Sequence, residues 1–250
     1  NDTFVKIENE LKLGKKVLFT GTGCQVAGLR QYLIERKTNI AGLITNDIIC
    51  HGTPSPLLWD DYLQFIQKKR SLKSYTFRYK ERGWRGYNVR IEYKDGKSKM
   101  NSADTKIYAN LFRSDLALRP SCYYCRFANI NRPSDIMIGD FWGIEKTMPD
   151  IDDNKGVSLV LINTNRGKDI FERVSKELYV WESNITDCLQ PNLISPTKRP
   201  AGREKFWYDY SKNGFEYISK IYGGYNFKNI VRENVKLFLI KLGLFKYIRR

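Results

Sequence analysis

The sequence predicts an α/β fold: parallel strand-helix units with an antiparallel basic insertion and a helical C-terminal tail. Three observations lead there. Short β-branched apolar runs are twice followed, across a Gly- or Pro-bearing break, by segments of helical spacing. Between about residues 70 and 100 the pattern changes to alternation around an Asp-Gly turn signal. Beyond a linker punctuated by Pro191, Pro196 and Pro200, helical periodicity returns and lasts to the end.

Lys16-Val17-Leu18-Phe19-Thr20 reads as a strand that breaks at Gly21-Thr22-Gly23, and Gln25 to Ile34 reads as the helix after it. The unit repeats: Gly42 to Ile49 is a strand ending at Cys50, and Pro54-Ser55-Pro56 leads into a helix through Leu57, Leu58, Tyr62, Leu63, Phe65 and Ile66. Consecutive units of this kind imply a parallel sheet with right-handed crossovers. Tyr75 to Tyr79 and Tyr87 to Tyr93 alternate as strands of a hairpin system turned at Asp95-Gly96. Asp104 to Leu118 reads as a helix capped by Asp104 or Ser102 and closed before Pro120. Ser134 to Asp140 is a strand ending in a Gly-bounded aromatic turn, Val157 to Ile162 a further buried strand, and Arg166 to Leu178 a helix. Two helices finish the chain. These elements group into a core over residues 1–190, with its insertion at about 70–100, and a linker and helical tail over 191–250.

The 250 residues include 43 Lys+Arg against 27 Asp+Glu, a formal charge of +16. With 42% hydrophobic and 14% aromatic residues, disordered and fibrous classes are excluded. No run approaches the roughly 18 apolar residues of a membrane span, and the start lacks a signal-peptide pattern, so the expected location is the cytoplasm. A chain starting at Asn1 rather than Met reads as a fragment or processed product. Residues 68–99 hold twelve basic residues against three acidic ones, and residues 227–250 hold seven against one; these two segments carry fifteen of the sixteen net charges. That pattern argues against a uniform nucleic-acid coat and for local recognition of phosphates, an acidic electron-transfer protein or anionic lipid. The final helix interleaves Lys and Arg with Ile230, Val231, Val235, Phe238, Leu239, Leu242, Phe245 and Ile248. Such a helix suits an anionic membrane surface or a partner, although packing of its stripe on its own domain is the ordinary expectation.

Five cysteines in a reducing compartment do not suggest a disulfide framework. Cys24 and Cys50 each follow a strand, on the edge where open α/β sheets bind ligands, so two thiols are expected on one rim. Cys122 and Cys125 form a Cys-x-x-Cys pair that suits an iron-sulfur cluster, zinc or a redox dithiol. Cys188 is expected to be a packing residue. His51 beside Cys50 is the one imidazole; neighbours on a strand point apart, so a shared-proton Cys-His pair is not expected. Gly21-Thr22-Gly23 with Gly28 does not match the dinucleotide fingerprint, and a tight turn is the simpler reading. The acidic loop Asp150, Asp152 and Asp153 lacks the spacing of an EF-hand.

Four stretches occur in order: Val17-Leu18-Phe19-Thr20-Gly21-Thr22-Gly23-Cys24-Gln25-Val26-Ala27-Gly28-Leu29; Asp47-Ile48-Ile49-Cys50-His51-Gly52-Thr53-Pro54-Ser55-Pro56; Cys122 and Cys125 with Asp135 to Gly143; and Asp152 to Leu159. Over about residues 14–165 the chain resembles the coenzyme F-420 hydrogenase/dehydrogenase beta subunit family. The resemblance implies an oxidoreductase module that passes electrons between a ferredoxin-like donor, or an N-terminal ferredoxin domain, and an organic acceptor through a 4Fe-4S cluster and FAD. In bacteria, relatives also occur with cell-surface polysaccharide biosynthesis functions. It implies Cys24, Cys50, Cys122 and Cys125 as cluster ligands. For FAD, which needs cations or backbone amides for its diphosphate and a slot for its ring, the candidates are Arg82, Trp84 and Arg85, then Gly139, Asp140, Phe141, Trp142 and Gly143, then Lys155, Gly156 and Ser158. Each of these groups also reads as a hairpin tip or structural turn. Two departures stand out: family members usually have Pro at the position of Gly23, and their upstream ferredoxin-like cysteine cluster and Ser/Gly-rich flavin segment have no counterpart here. The competing class is a non-enzymatic zinc-binding module whose basic surface takes nucleic acid or an acidic protein partner.

Overall fold

The structure, a computed structural model, describes residues 2–81 and 83–242. Arg82, Phe245 and Ile248 therefore lie outside the described residues. In chain order the elements begin with α1 (Asp2–Lys12), β1 (Val17–Thr22), α2 (Gly23–Glu35), β2 (Leu43–Ile48) and α3 (Pro56–Gln67). β3 (Leu72–Thr76), β4 (Arg90–Tyr93), β5 (Ser98–Met100) and α4 (Ile107–Arg113) follow, then β6 (Ile136–Asp140), α5 (Ile144–Thr147), β7 (Ser158–Ile162) and α6 (Asn165–Val174). Short helices α7 (Ile185–Cys188) and α8 (Pro191–Ile194) precede the long α9 (Arg203–Ile221) and α10 (Phe227–Lys241). None of the described helices is long and apolar enough to cross a membrane.

The chain divides into two compact units, each assembled from two separated stretches: residues 1–51 with 124–197, and residues 52–123 with 198–250. The sequence boundary expected at 190 falls within the second stretch of the first unit.

The first unit is built on a four-stranded sheet ordered β1-β2-β6-β7. β1, β2 and β6 run parallel, as the strand-helix units predict, with Thr22 opposite Ile48 and Ile48 opposite Ile138. β7 is antiparallel to β6 and forms an edge. It is therefore not the buried strand its apolar run suggests: Leu159 is buried, but Ser158 and Ile162 face solvent. One face of the sheet packs Leu43 against Ile7 and Leu11 of α1 and Leu29 and Leu33 of α2. On the opposite face Leu18, Ile48 and Ile138 are exposed.

β1 extends two residues further than its apolar run, and α2 begins at Gly23 with no loop between. The transition holds because the Gln25 side chain reaches back to accept the Thr22 N–H at 2.9 Å, satisfying a donor at the helix start.

In the second unit β3, β4 and β5 form an antiparallel sheet, the basic insertion. Gly96, at φ +80°, makes the turn between β4 and β5, and the Asp95 carboxylate accepts the Lys97 N–H. The first of these strands covers Leu72–Thr76 rather than Tyr75–Tyr79. Its sheet packs through Ile91 and Tyr93 on a core that includes Leu58 and Tyr62 of α3, Ile107 and Leu111 of α4, and Phe206, Phe215 and Ile218 of α9. Tyr62 is fully buried, stacks on Tyr108 at 5.8 Å, and donates its hydroxyl to the carbonyls of Asp104 and Thr105. α4 is half the expected length. The Ser102, Asp104 and Thr105 side chains bond one another and nearby backbone instead of capping a helix, and Asp115 at φ +62° stops it before Leu118. α9 is broken at Gly214, whose φ of +71° no helical residue adopts.

Candidate functional site

Two of the expected ligand thiols stand at one edge of the first unit's sheet. Cys24 follows β1 and Cys50 follows β2, and those strands are hydrogen-bonded neighbours. Cys24 lies in the first turn of α2, not in a loop; its thiol is exposed and 3.1 Å from the Thr22 hydroxyl. Cys50 is half-buried, two residues beyond β2. His51 is likewise off the strand, so strand alternation does not set its direction; its carbonyl accepts the Thr197 hydroxyl at 2.8 Å.

Cys125, half-buried, opens the loop that leads to β6 in the same unit. Cys122 belongs to the second unit, in a short helical turn over Pro120–Tyr124. Its sulfur accepts the Thr53 N–H at 3.4 Å. Cys188 is buried and hydrogen-bonded to the Ile185 carbonyl, and burial pushes its thiol up from the ordinary value. All five cysteines are free of disulfides. Among the described residues no three His, Cys, Asp or Glu side chains are gathered to hold a metal. Cys24 is exposed, Cys50, Cys122 and Cys125 are half-buried, and Cys188 is withheld by packing; in kind, accessible thiols suit thiolate ligation.

The residue that organises the first unit's thiol-bearing segments is Arg132. Its side chain is 2% exposed and that of its partner Asp47 is fully buried, with Nη2 2.7 Å from Oδ2 and Nε 3.1 Å from the same oxygen. Nη2 also donates to the Ile48 carbonyl, two residues before Cys50, and Nη1 to the Phe127 carbonyl, two residues after Cys125. Ser134 adds a hydroxyl donor to Asp47 at 2.9 Å. Burial pushes the Asp47 carboxyl up, and it stays above the ordinary carboxylate value although the hydrogen bonds and charge of Arg132 and the Ser134 hydroxyl pull it back.

Gly23, next to Cys24, completes the junction. A Cβ there would stand 2.9 Å from the Phe127 Cβ and 3.2 Å from both Arg132 Nη2 and Asp47 Oδ2. With glycine at this position the start of α2 comes this close without displacing Phe127. The segments bearing Cys24, Cys50 and Cys125 thus meet around one buried ion pair.

A second buried carboxylate lies one residue before β6. Asp135 accepts the Thr45 N–H and hydroxyl, both at 2.8 Å, and the Thr164 hydroxyl at 2.9 Å, with Arg30 3.3 Å away. Burial acts to raise it, but these donors prevail and hold it below the ordinary carboxylate value. None of Arg132, Ser134, Thr45 or Thr164 figures among the expected site residues. The available signal is Thr45 and Asp47, polar residues two apart in the inward phase of an apolar strand.

Beside Arg132 opens a cleft of about 560 Å³ lined by Arg126, Phe127, Asn129, Ile130, Asn131, Arg132, Pro133 and Asn163. None of the expected flavin contacts lines it. Two groups of those contacts do come together at the end of β6. Asp140 pairs with Ser158, and the Phe141 N–H donates to the Val157 carbonyl, so the Gly139–Gly143 turn lies against the loop of Lys155 and Gly156. Within it Phe141 is buried, Trp142 is exposed, Gly143 adopts φ +95°, and Gly139 leaves room for Ile49, whose Cδ1 would stand 2.6 Å from an added Cβ. Lys155 is exposed and paired with Asp153. Trp84, which is buried, and Arg85, which is exposed, belong to the other unit.

Residues 14–187 match the family model that describes the C terminus of the coenzyme F420 hydrogenase/dehydrogenase beta subunit. The chain is also 26% identical over 190 residues to 7-hydroxymethyl chlorophyll a reductase, chloroplastic, of Oryza sativa subsp. japonica. That match covers 74% of this chain and 36% of the rice protein, so the chain spans little more than a third of the curated relative's length.

Proposed function

Because the chain belongs to the family formed by the C-terminal part of coenzyme F420 hydrogenase/dehydrogenase beta subunits, we propose that it is an electron-transfer portion of an oxidoreductase. In this proposal a 4Fe-4S cluster sits on Cys24, Cys50, Cys122 and Cys125, and an FAD is contacted from the Gly139–Gly143 turn and the Lys155–Ser158 loop. A ferredoxin-like donor and an organic acceptor complete it. When bound, the cluster supplies single-electron steps and the flavin couples them to two-electron chemistry.

The observation that carries this reading is the Arg132 junction. A site on several loops needs those loops held rigidly by packing and outer hydrogen bonds. Arg132 does this for two cysteine-bearing segments, through Asp47 and the Ile48 carbonyl on one and the Phe127 carbonyl on the other, while Gly23, next to Cys24, packs closely against the same pair. Cys24 sits at the amino end of α2, where free amides and the helix dipole favour an anion. The Thr53 N–H on the Cys122 sulfur is a bond of the kind that tunes cluster potentials. Ring binding near β6 would use Trp142, the exposed aromatic of its turn.

The test is purification of the protein without oxygen, with iron, sulfide, zinc and flavin analysis and an absorption spectrum. Brown protein is expected, and single Ser substitutions at Cys24, Cys50, Cys122 or Cys125 should each lower the iron content while Cys188→Ser leaves it intact. Colourless protein carrying zinc would favour the zinc-module class instead. Undiminished iron in the single variants would refute the ligand assignment.

A further inference from the structure

α10 has two apolar sides, and only one of them is occupied. It starts at Asn226, whose side chain accepts the Asn229 N–H at 3.0 Å. On the inner side Glu233 is buried and receives Lys106 at 2.7 Å, flanked by half-buried Ile230, Leu237 and Ile240. On the outer side Phe227, Val231, Val235, Phe238 and Leu242 recur every three or four residues as a single stripe, at 84%, 45%, 51%, 61% and 54% exposure. Of the stripe expected to pack on its own domain, Ile230 and Leu239 are half-buried, whereas Val231, Val235, Phe238 and Leu242 are exposed.

The charges around the outer stripe have one sign. Lys228, Arg232 and Lys241 are exposed beside it and Lys236 is half-buried. Over residues 227–250 the one carboxylate is Glu233, which is turned inward onto Lys106, and Arg232 approaches it at 3.6 Å. An exposed aromatic-aliphatic stripe in a cationic setting is the chemistry of a helix that lies in the headgroup layer of an anionic bilayer, its apolar side sunk about 5–10 Å. A groove on a neutral protein would use the stripe and leave the cations idle; the bilayer uses both. We infer that α10 docks this protein onto an anionic lipid surface through Phe227, Val231, Val235, Phe238 and Leu242, with Lys228, Arg232 and Lys241 contacting the headgroups. The helix lies on the membrane and does not cross it.

The test uses the full chain and vesicles of phosphatidylcholine alone or with about 30% phosphatidylglycerol, separated by flotation. The protein should float with the anionic vesicles, stay behind with the neutral ones, and be released at about 0.5 M salt, where charge attraction is screened. Phe227→Ser with Phe238→Ser should weaken partitioning by roughly tenfold or more. Lys228→Glu with Lys241→Glu, which alters exposed groups and spares the core, should abolish the preference for anionic vesicles; it serves as the second arm if the Phe variant loses its fold. Absence of flotation with anionic vesicles, or flotation indifferent to both double variants, overturns the inference. So does a concentration-dependent dimer abolished by the Phe variant, which would make a second copy the occupant. None of these readouts involves redox activity, so they stand apart from the proposed electron transfer.

Discussion

Arg132 and Asp47, 85 residues apart in the chain, form a fully buried ion pair with their closest atoms 2.7 Å apart. Around it lie the residues next to or two removed from Cys24, Cys50 and Cys125. The pair therefore ties the chain's most dispersed functional candidates to the interior of the sheet.

Replacing Arg132 by Met should cost about 3–5 kcal/mol, because Asp47 is left as an uncompensated buried charge. Urea unfolding measures this. The double variant Arg132→Met with Asp47→Asn should recover part of the loss, since the stranded charge is gone; a double variant no more stable than the single would contradict that account.

Gly23→Ala should destabilise by roughly 1–3 kcal/mol through overpacking against the Phe127 Cβ, which is anchored to backbone and has little room to yield. Gly28→Ala is the control, because a Cβ there finds ordinary contacts at 3.7 Å with the Phe4 ring. Thermal melting of the two variants separates a specific close approach from a general helix effect.

Acid sensitivity should involve Glu8. Its carboxyl is lowered from 4.5 to about 2, first by the hydrogen bond from Lys12, then by those from Tyr32 and Arg36 against the penalty of burial. A carboxylate lowered by folding stabilises the fold fully above its unfolded value and loses that contribution as pH falls through its folded value. Stability attributable to Glu8 should therefore drain away between about pH 4.5 and about pH 2. Glu8→Gln should flatten the unfolding curve over that window and leave its slope near neutrality unchanged.

Thiol reactivity should rank by access. Under native conditions in metal-free protein, an alkylating probe followed by peptide mapping should label exposed Cys24 readily and leave Cys188 unlabelled until denaturant is added. Early labelling of Cys188 would show that the α7 turn opens more easily than its packing indicates.

Tyr62→Phe should cost about 0.5–1.5 kcal/mol, because the Asp104 carbonyl loses the Tyr62 hydroxyl while Tyr75 still donates to the Thr105 carbonyl and the ring stack remains. Comparing it with Tyr62→Ala separates the hydroxyl from the ring.

The periodic elements were legible because local sequence decides them: β1 with α2 and β2 with α3 follow from apolar runs, glycines and Pro56. The sites where side chains compete with the backbone were not. Ser102, Asp104 and Thr105 look like a helix start, yet their hydroxyls and carboxylate bond locally and the helix waits for Ile107. The edge position of β7 depends on its pairing with β6, a register no window of sequence contains. Arg132 was invisible for the same reason. Its role arises when β6 settles beside β2, and a lone Arg before a Pro carries no mark of that. The cysteines themselves were conspicuous, but what holds their segments was not.

The interleaving of the two units bears on how the chain matures as it is synthesised. The first unit has all its strands once residue 197 has emerged, including β6, which must slot between β2 and β7. The second still lacks Phe206, Phe215 and Ile218 at that moment, so Tyr62, Ile107 and Leu111 wait uncovered until α9 arrives. A nascent chain halted between those points would present a finished sheet joined to a sticky, unfinished aromatic core, the kind of surface that chaperones capture.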